Sequence, residues 1–336
     1  MRHFVIVGVL IAVLTPLTYV GLTAANLMPV QASAQSLFVD QMWDWDMMMI
    51  SFLFALIMVP MFYSLIVFRR RKGDTTDGEH SEGNTTLELT WTIIPLFIVI
   101  FFSYLGAYNL GETRIEDPNA MVIKVTARQW DWSFSYPEGF DSNELHLPVN
   151  QQVVLKMESM DVIHSFWVPE FRIKQDIVPG RVTEYRITPI LLGNYKVRCA
   201  ELCGASHAYM EKPVIVTSRD EYDAWVKARA AEAAALAAAG GPPNGKLLVA
   251  NKGCAGCHTI DGSKLVGPTW RGLFGSQVKL ADGSTVTADE AYLTESIQNP
   301  SAKIVAGFQD GVMPSFKDRL TEKQIMDIVS YIETLK

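Results

Sequence analysis

The sequence predicts a multidomain membrane protein in which a two-helix transmembrane hairpin is followed by an all-β barrel or sandwich and then a small all-α domain. Three observations predict it. Two uncharged stretches, each about twenty residues long, flank a basic loop. Short β-rich runs broken by Pro, Gly and Asn fill Met121 to Val216. A Gly240-Gly241-Pro242-Pro243 junction then opens a segment with helical periodicity. At 336 residues there is room for two ordinary domains and a remainder, and 49% hydrophobic residues makes that remainder membrane. The net charge is only −7, and the sole basic block is Arg69-Arg70-Arg71-Lys72, so nucleic acid is excluded as a partner.

Residues 1–36 follow Arg2 with an uncharged run from Phe4 to Leu27, which reads either as a signal peptide with Ala32-Ser33-Ala34 at its cleavage site or as an additional transmembrane segment. The hairpin occupies 37–112, with spans over about 47–68 and 91–110. Pro60 is placed to kink the first span, and Trp43, Trp45, Trp91 and Tyr108 fall at the span ends, where amphipathic aromatics favour the interface. Positive charge in the connecting loop puts it in the cytoplasm and everything after Leu110 outside.

The β-rich domain takes 113–219, with strands expected in M-V-I-K-V-T, W-S-F-S-Y, Q-V-V-L-K-M, V-I-H-S-F-W-V, V-T-E-Y-R-I-T and Y-K-V-R. An alanine-rich helix and linker follow at 220–243, the Gly-Gly-Pro-Pro end leaving the last domain free to reorient. That domain, 244–336, closes with a helix whose Thr321 and Gln324 have capping-box spacing and whose Ile325, Ile328, Val329 and Ile332 form one apolar face.

The chemistry concentrates in two places. Cys199 to Met210 reads C-A-E-L-C-G-A-S-H-A-Y-M, which combines two thiolates, an imidazole and a thioether. Soft donors of this kind suit copper, whereas zinc rarely recruits methionine. His164, on the apolar run D-V-I-H-S-F-W-V-P, is the leading candidate for a further donor. A Cys199–Cys203 disulfide is the competing reading, and residues at i and i+4 can form one only in a tight loop. The second place is Cys254-Ala255-Gly256-Cys257-His258, the C-x-x-C-H pattern that attaches haem c covalently, with the histidine as axial ligand. A thioredoxin-like pair lacks its βαβ setting, and a zinc site lacks any later Cys or His. Thioether ligation would suit electron transfer, and of Met313 and Met326 the first lies in the loop G-V-M-P-S-F, while the second falls in the closing helix as a core residue.

These motifs, with L-E-L-T-W-T-I-I-P and Q-W-D-W-S-F, resemble subunit II of haem–copper cytochrome c oxidases carrying a fused class I cytochrome c domain. The resemblance implies a cupredoxin-like barrel with a dinuclear CuA copper centre. Cys199 and Cys203 would bridge the coppers, His164 and His207 would bind one each, and Met210 and the Glu201 carbonyl would be weak axial ligands. It further implies magnesium at a subunit interface through the Glu201 side chain, which otherwise reads as a solvated surface charge. Trp130 would be the exposed tryptophan where electrons enter, or simply a barrel aromatic at a strand start. Asp131 departs from the family there, since an aromatic is common at that position. Glu88 would sit at the mouth of a proton path, or be an ordinary acid at a helix start. Pro268 would accept a hydrogen bond from the axial His258, and Met313-Pro314 matches the axial methionine pair.

The implied function is the electron-transfer subunit of a respiratory oxidase in a bacterial plasma membrane, multi-pass, with both metal domains on the periplasmic face. Electrons would come from a cytochrome c or small copper protein and pass through haem c and copper to catalytic subunit I, which holds haem and copper. Other oxidase subunits and membrane lipid complete the surroundings. The alternatives are a CuA-containing nitric oxide reductase subunit and a copper-delivery protein, although delivery needs exchangeable ligands.

Overall fold

The computed structural model describes residues 1–78, 80 and 82–336. It divides into two compact units, residues 1–116 with 169–172, and residues 117–168 with 173–336.

The first unit holds helices α1 (Arg2–Ala24), α2 (Ala34–Val67) and α3 (Thr85–Thr113). Each holds an 18-residue stretch apolar enough to cross a membrane, with mean hydropathies over that stretch of 2.3, 2.4 and 2.0. The N-terminal segment therefore forms a third apolar helix. It lies along α2, where His3 Nδ1 is 2.7 Å from the Tyr63 hydroxyl. Helix α2 begins well before the expected 47, because two polar devices extend it. Ser33 Oγ caps it by accepting the Ser36 N–H at 3.1 Å. Asp40, a charge that a hydropathy window rejects, is held by Arg172 through Nε and Nη2 at 2.6 and 2.9 Å. The helix continues through Pro60. At the start of α3, Asn84 Oδ1 accepts the Leu87 N–H at 3.0 Å, and Glu88 Oε1 accepts the Asn84 N–H at 3.4 Å.

The second unit opens with ten strands: β1 (Met121–Arg128), β2 (Asp131–Ser135), β3 (Asp141–Ser142), β4 (Leu145–Pro148), β5 (Val153–Ser159), β6 (His164–Val168), β7 (Ile173–Ile177), β8 (Thr183–Ile187), β9 (Gly193–Cys199) and β10 (Glu211–Thr217). They form two five-stranded sheets, ordered β3-β2-β1-β5-β8 and β4-β10-β9-β6-β7. The β1–β5 and β4–β10 pairs are parallel, the rest antiparallel. Alternation along β1 buries Ile123, Val125 and Ala127 completely, and the second sheet contributes Leu145, Phe166, Ile173 and Val197. Each large apolar side chain so buried contributes roughly 1.5–3 kcal/mol.

Helix α4 (Arg219–Ala239) starts with a Ser218/Glu221 capping box and lays Trp225 on His146, ring centroids 3.9 Å apart. The Gly-Gly-Pro-Pro segment, expected as linker, is taken up into the start of a helix. Pro242 and Pro243 sit in the first turn of α5 (Gly241–Asn251), whose Gly241 N–H and Asn244 amide both donate to Asp327, at 2.5 and 2.6 Å. The hairpin β11 (Gln277–Lys279) and β12 (Thr285–Thr287) was not anticipated in an otherwise helical domain; Gly283, at φ +87°, supplies its turn. Helices α6 (Glu290–Gln298) and α7 (Glu322–Glu333) complete it. Helices α5 and α7 cross so closely that a Cβ at Gly245 would lie 1.9 Å from the Asp327 carbonyl oxygen. The predicted capping box of α7 is present, and Ile325, Ile328, Val329 and Ile332 are buried. Met326 is not core: it is 38% exposed, on the other face of α7.

Candidate functional site

Strands β6 and β9 pair with Phe166 opposite Cys199, which brings His164 on the first strand near the end of the second. The chain then turns through residues 200–210 and returns as β10, with Cys199 N–H donating to the Met210 carbonyl at 3.1 Å and Ala200 N–H to that of Ser165 at 3.0 Å. Gly204 takes φ +123°, and a Cβ there would lie 2.9 Å from Gln129 Nε2 and 3.0 Å from the Trp130 ring.

Within this loop Cys199 and Cys203 are unlinked, their sulfurs 3.7 Å apart. His164 Nδ1 is 3.8 Å from Cys199 Sγ, His207 Nδ1 is 3.5 Å from Cys203 Sγ, and Met210 Sδ is 3.8 Å from Cys203 Sγ. The Glu201 carbonyl oxygen lies 3.2 Å from Cys199 Sγ. His164, Cys199 and Cys203 group as possible metal ligands and all are buried. Every donor expected from the motif is thus in one place, with the Glu201 side chain half-buried beside it.

A residue that sequence reasoning missed orders the cluster. Asp161 accepts from His164 Nε2–H at 2.8 Å, which leaves Nδ1 facing the sulfurs with its lone pair. The other Asp161 oxygen accepts the Gln129 N–H at 2.7 Å. Burial alone would raise the Asp161 carboxyl, but its bonds from His164, Gln129 and Val162 hold it below the ordinary carboxylate value. Burial likewise opposes charge on His164, yet Asp161 and Cys199 raise it. At Cys199 burial is outweighed by hydrogen bonds from His164 and the loop, and the thiol falls to about 6. Burial and the neighbouring Cys199 charge push Cys203 up. The acid three residues before His164 was visible in D-V-I-H and could have signalled an ordering carboxylate.

The β1–β2 turn carries Gln129 and Trp130. Trp130 is half-buried rather than exposed, its indole N–H enclosed without a partner among the described residues. Asp131 is 4% exposed, and Lys212 at 2.8 Å and Arg128 at 3.9 Å balance its charge. This explains a carboxylate where the family resemblance led us to expect an aromatic.

In the helical domain Cys254, Cys257 and His258 line a cleft walled mainly by apolar side chains and including Pro268 and Met313. His258 N–H bonds to the Cys254 carbonyl, holding the attachment turn. His258 Nδ1–H donates to the Pro268 carbonyl at 2.8 Å, and the ring stacks on Trp270 at 4.7 Å. Burial lowers the His258 pKa, partly offset by the Pro268 bond, so the imidazole stays neutral with Nε2 available. Met313 packs against the domain core, whereas Met326 does not line the cleft. Two thiols, a neutral imidazole and an apolar slot fit a covalently attached haem.

Comparison with known proteins agrees. Residues 140–219 match the family described as cytochrome c oxidase subunit II, periplasmic domain; residues 18–106 match cytochrome c oxidase subunit II, transmembrane domain; and residues 243–336 match cytochrome c. Cytochrome c oxidase subunit 2 of Alkalihalophilus pseudofirmus is 33% identical over 313 residues, covering 88% of this chain and 87% of the relative. That of a Synechocystis species is 36% identical over 253 residues, covering 61% and 76%. A solved periplasmic domain of subunit II of cytochrome oxidase from Bradyrhizobium japonicum is 31% identical, covering 34% of this chain and 96% of that one at a TM-score of 0.33. These domains imply CuA copper and haem c in general, and neither nitric oxide reduction nor copper delivery is favoured by the relatives found. The chain therefore belongs to the cytochrome c oxidase subunit II family, the membrane-anchored electron-transfer subunits of haem–copper oxidases, and carries a cytochrome c domain after its copper domain.

Proposed function

We propose that this chain passes electrons from an external donor, a cytochrome c or small copper protein, through haem c to a dinuclear copper centre and on to catalytic subunit I, where dioxygen is reduced to water with proton pumping. The observation that carries the reading is the pair of unlinked thiols 3.7 Å apart with two imidazole Nδ1 atoms and a thioether 3.5–3.8 Å from them. Cys199, Cys203, His164, His207, Met210 and the Glu201 carbonyl would hold the copper, the two thiolates and two imidazoles as the principal donors. Cys254 and Cys257 would attach the haem, and His258 and Met313 would ligate its iron. When bound, the copper pair supplies a one-electron store shared over two metals, so little geometry changes on reduction.

The protein's part is to keep those ligands still and dry. His164 is fully buried and fixed by Asp161, and the Trp132 indole N–H donates to the Met210 carbonyl at 3.3 Å. Pro268 keeps His258 oriented and basic. The metal domains face the periplasm of a bacterial plasma membrane, a placement supported by the Arg69–Lys72 cluster between α2 and α3. Trp130, half-buried beside the copper loop, receives electrons. The Glu201 side chain offers a magnesium ligand toward subunit I, and Glu88 lies at a proton-path mouth, though its bond to Asn84 N–H also suits a plain helix-start acid.

Cys199→Ser in the purified complex tests the ligand set. It should abolish the mixed-valence copper resonance while the haem c absorbance is unchanged. A copper spectrum identical to that of the unaltered complex would sink the assignment.

A further inference from the structure

One wall of the haem cleft is supplied by the barrel. Arg128 ends β1, yet its side chain lines the cleft together with Cys254, Cys257 and Met313. Its seat is built from both flanks of that cleft. Gly253, immediately before the attachment motif, takes φ +75°, and a Cβ there would overlap the Nη2, Nε and Cζ atoms of Arg128, so the guanidinium rests on a residue that has no side chain. Phe316, three residues after Met313, holds its ring centroid 5.9 Å from the guanidinium carbon.

The charge seated there is short of counter-charge. Arg128 is 8% exposed, and a guanidinium keeps its proton at any ordinary pH. Asp131 lies 3.9 Å from it, but that carboxylate is bonded more closely to Lys212, at 2.8 Å, and Arg319 adds a further positive charge within reach. Three cations against one carboxylate leave the group positive. Both signs act on the attachment sulfurs. Burial pushes the Cys254 thiol up to about 11, with Arg128 the foremost charge opposing the rise; at Cys257, also raised by burial, Asp131 outweighs Arg128.

We propose that Arg128 is a fixed cation of the copper barrel that raises the reduction potential of the haem c held by the following domain. A positive charge beside the cleft favours ferrous over ferric iron, because the reduced form carries one electron more, and burial leaves little water to screen it. This rests on the haem reading given above. No covalent bond is made or broken and no proton moves; the electron that reduces the iron is the one supplied by the external donor. Arg128 carries no electron itself, so entry to the copper centre at Trp130 is untouched. The bare Gly253 backbone has a purpose in this reading, since any larger residue before the attachment motif would push the charge out of the cleft.

The test is a redox titration of haem c in the intact oxidase complex at fixed ionic strength. Arg128→Met removes the charge and keeps an unbranched side chain, Arg128→Lys keeps the charge, and Asp131→Asn removes the opposing one. A unit charge about 10 Å from a redox centre, at an effective dielectric of about 20, changes the ferrous-to-ferric ratio roughly tenfold, which is about 59 mV for one electron. Arg128→Met should lower the midpoint potential by about that amount, Arg128→Lys should lower it by less than half as much, and Asp131→Asn should raise it. Haem absorbance and copper resonance, recorded for each variant, should match those of the unaltered complex. The proposal is overturned by an Arg128→Met change of less than about twofold in that ratio, by an Arg128→Lys shift as large as that of Arg128→Met, or by a potential in Asp131→Asn that falls or stays put. A packing role would move both charge-removing variants the same way, and where Arg128→Met does not assemble, the sign in Asp131→Asn decides. Failure of the underlying haem reading looks different: the unaltered complex itself would lack thioether-linked haem absorbance.

Discussion

Asp161→Ala should weaken copper binding without touching a ligand. The carboxylate accepts three hydrogen bonds, from His164 Nε2, Gln129 N and Val162 N, at 2.8, 2.7 and 2.7 Å. They are not equal losses. Val162 is 38% exposed and can turn to water, but the His164 side chain is 0% exposed, so its orphaned N–H has no replacement acceptor. An imidazole that loses its acceptor also loses the fixed tautomer and ring angle that present Nδ1 to the metal, and such partners are worth about 10–100-fold in affinity. That range corresponds to ~1.4–2.7 kcal/mol. The assay is copper titration of the full-length apo chain against a competing chelator at neutral pH. There the Asp161 contribution is complete, because a carboxyl held below its ordinary pKa stabilises the fold above that value and loses the effect only as pH falls through the lowered one. Asp176→Ala is the control, since this acid accepts a bond from the buried Ser165 at 2.8 Å but none from a candidate ligand side chain. Copper affinity in Asp161→Ala within about twofold of the unaltered chain would refute the ordering role.

Met313→His should lower the haem midpoint potential by about 0.2 V, a fraction of the ~0.8 V that axial ligation spans, as read by redox titration; an unmoved potential would remove Met313 from the ligand set. Between pH 7.5 and 5, amide exchange in α4, corrected for its intrinsic pH dependence, should become faster. His146 is stacked on Trp225 of that helix, burial lowers its pKa below the ordinary 6.5 despite Glu144 at 3.2 Å, and Arg229 adds to the lowering. A group whose folded pKa is depressed in this way gives its full stabilisation above the unfolded pKa and loses it as pH drops toward the folded one. His146→Gln should flatten the profile, and an unchanged profile would place the pH sensitivity elsewhere.

What the sequence made legible follows from how far apart the interacting residues lie along the chain. The proposed copper donors other than His164 fall within Cys199–Met210, and the C-x-x-C-H motif occupies Cys254–His258, so spacing alone made both candidate sites readable. The capping box of α7 was readable for the same reason, being a bond between Thr321 and Gln324. The early start of α2 was not, because the group that allows Asp40 inside an apolar helix is Arg172, distant in sequence. Met326 was misread because a helical residue type does not reveal which face meets the core.

Asp131 carries the argument furthest. Taken by itself it is an acid between two tryptophans, and it weakens the likeness at the turn that should matter most for electron transfer. In the fold it is 4% exposed and paired with Lys212, a residue of the strand that follows the copper loop. Without that lysine only the longer Arg128 contact would offset the buried carboxylate, and removing one partner of a buried pair costs up to roughly 3–5 kcal/mol. The acid and the lysine therefore stand or fall together, and with Arg128 beside them they fix the two strands that flank Gln129 and Trp130. An isolated departure from the family pattern becomes, once its partner is placed, part of what holds the turn between the haem-attachment segment and the copper loop.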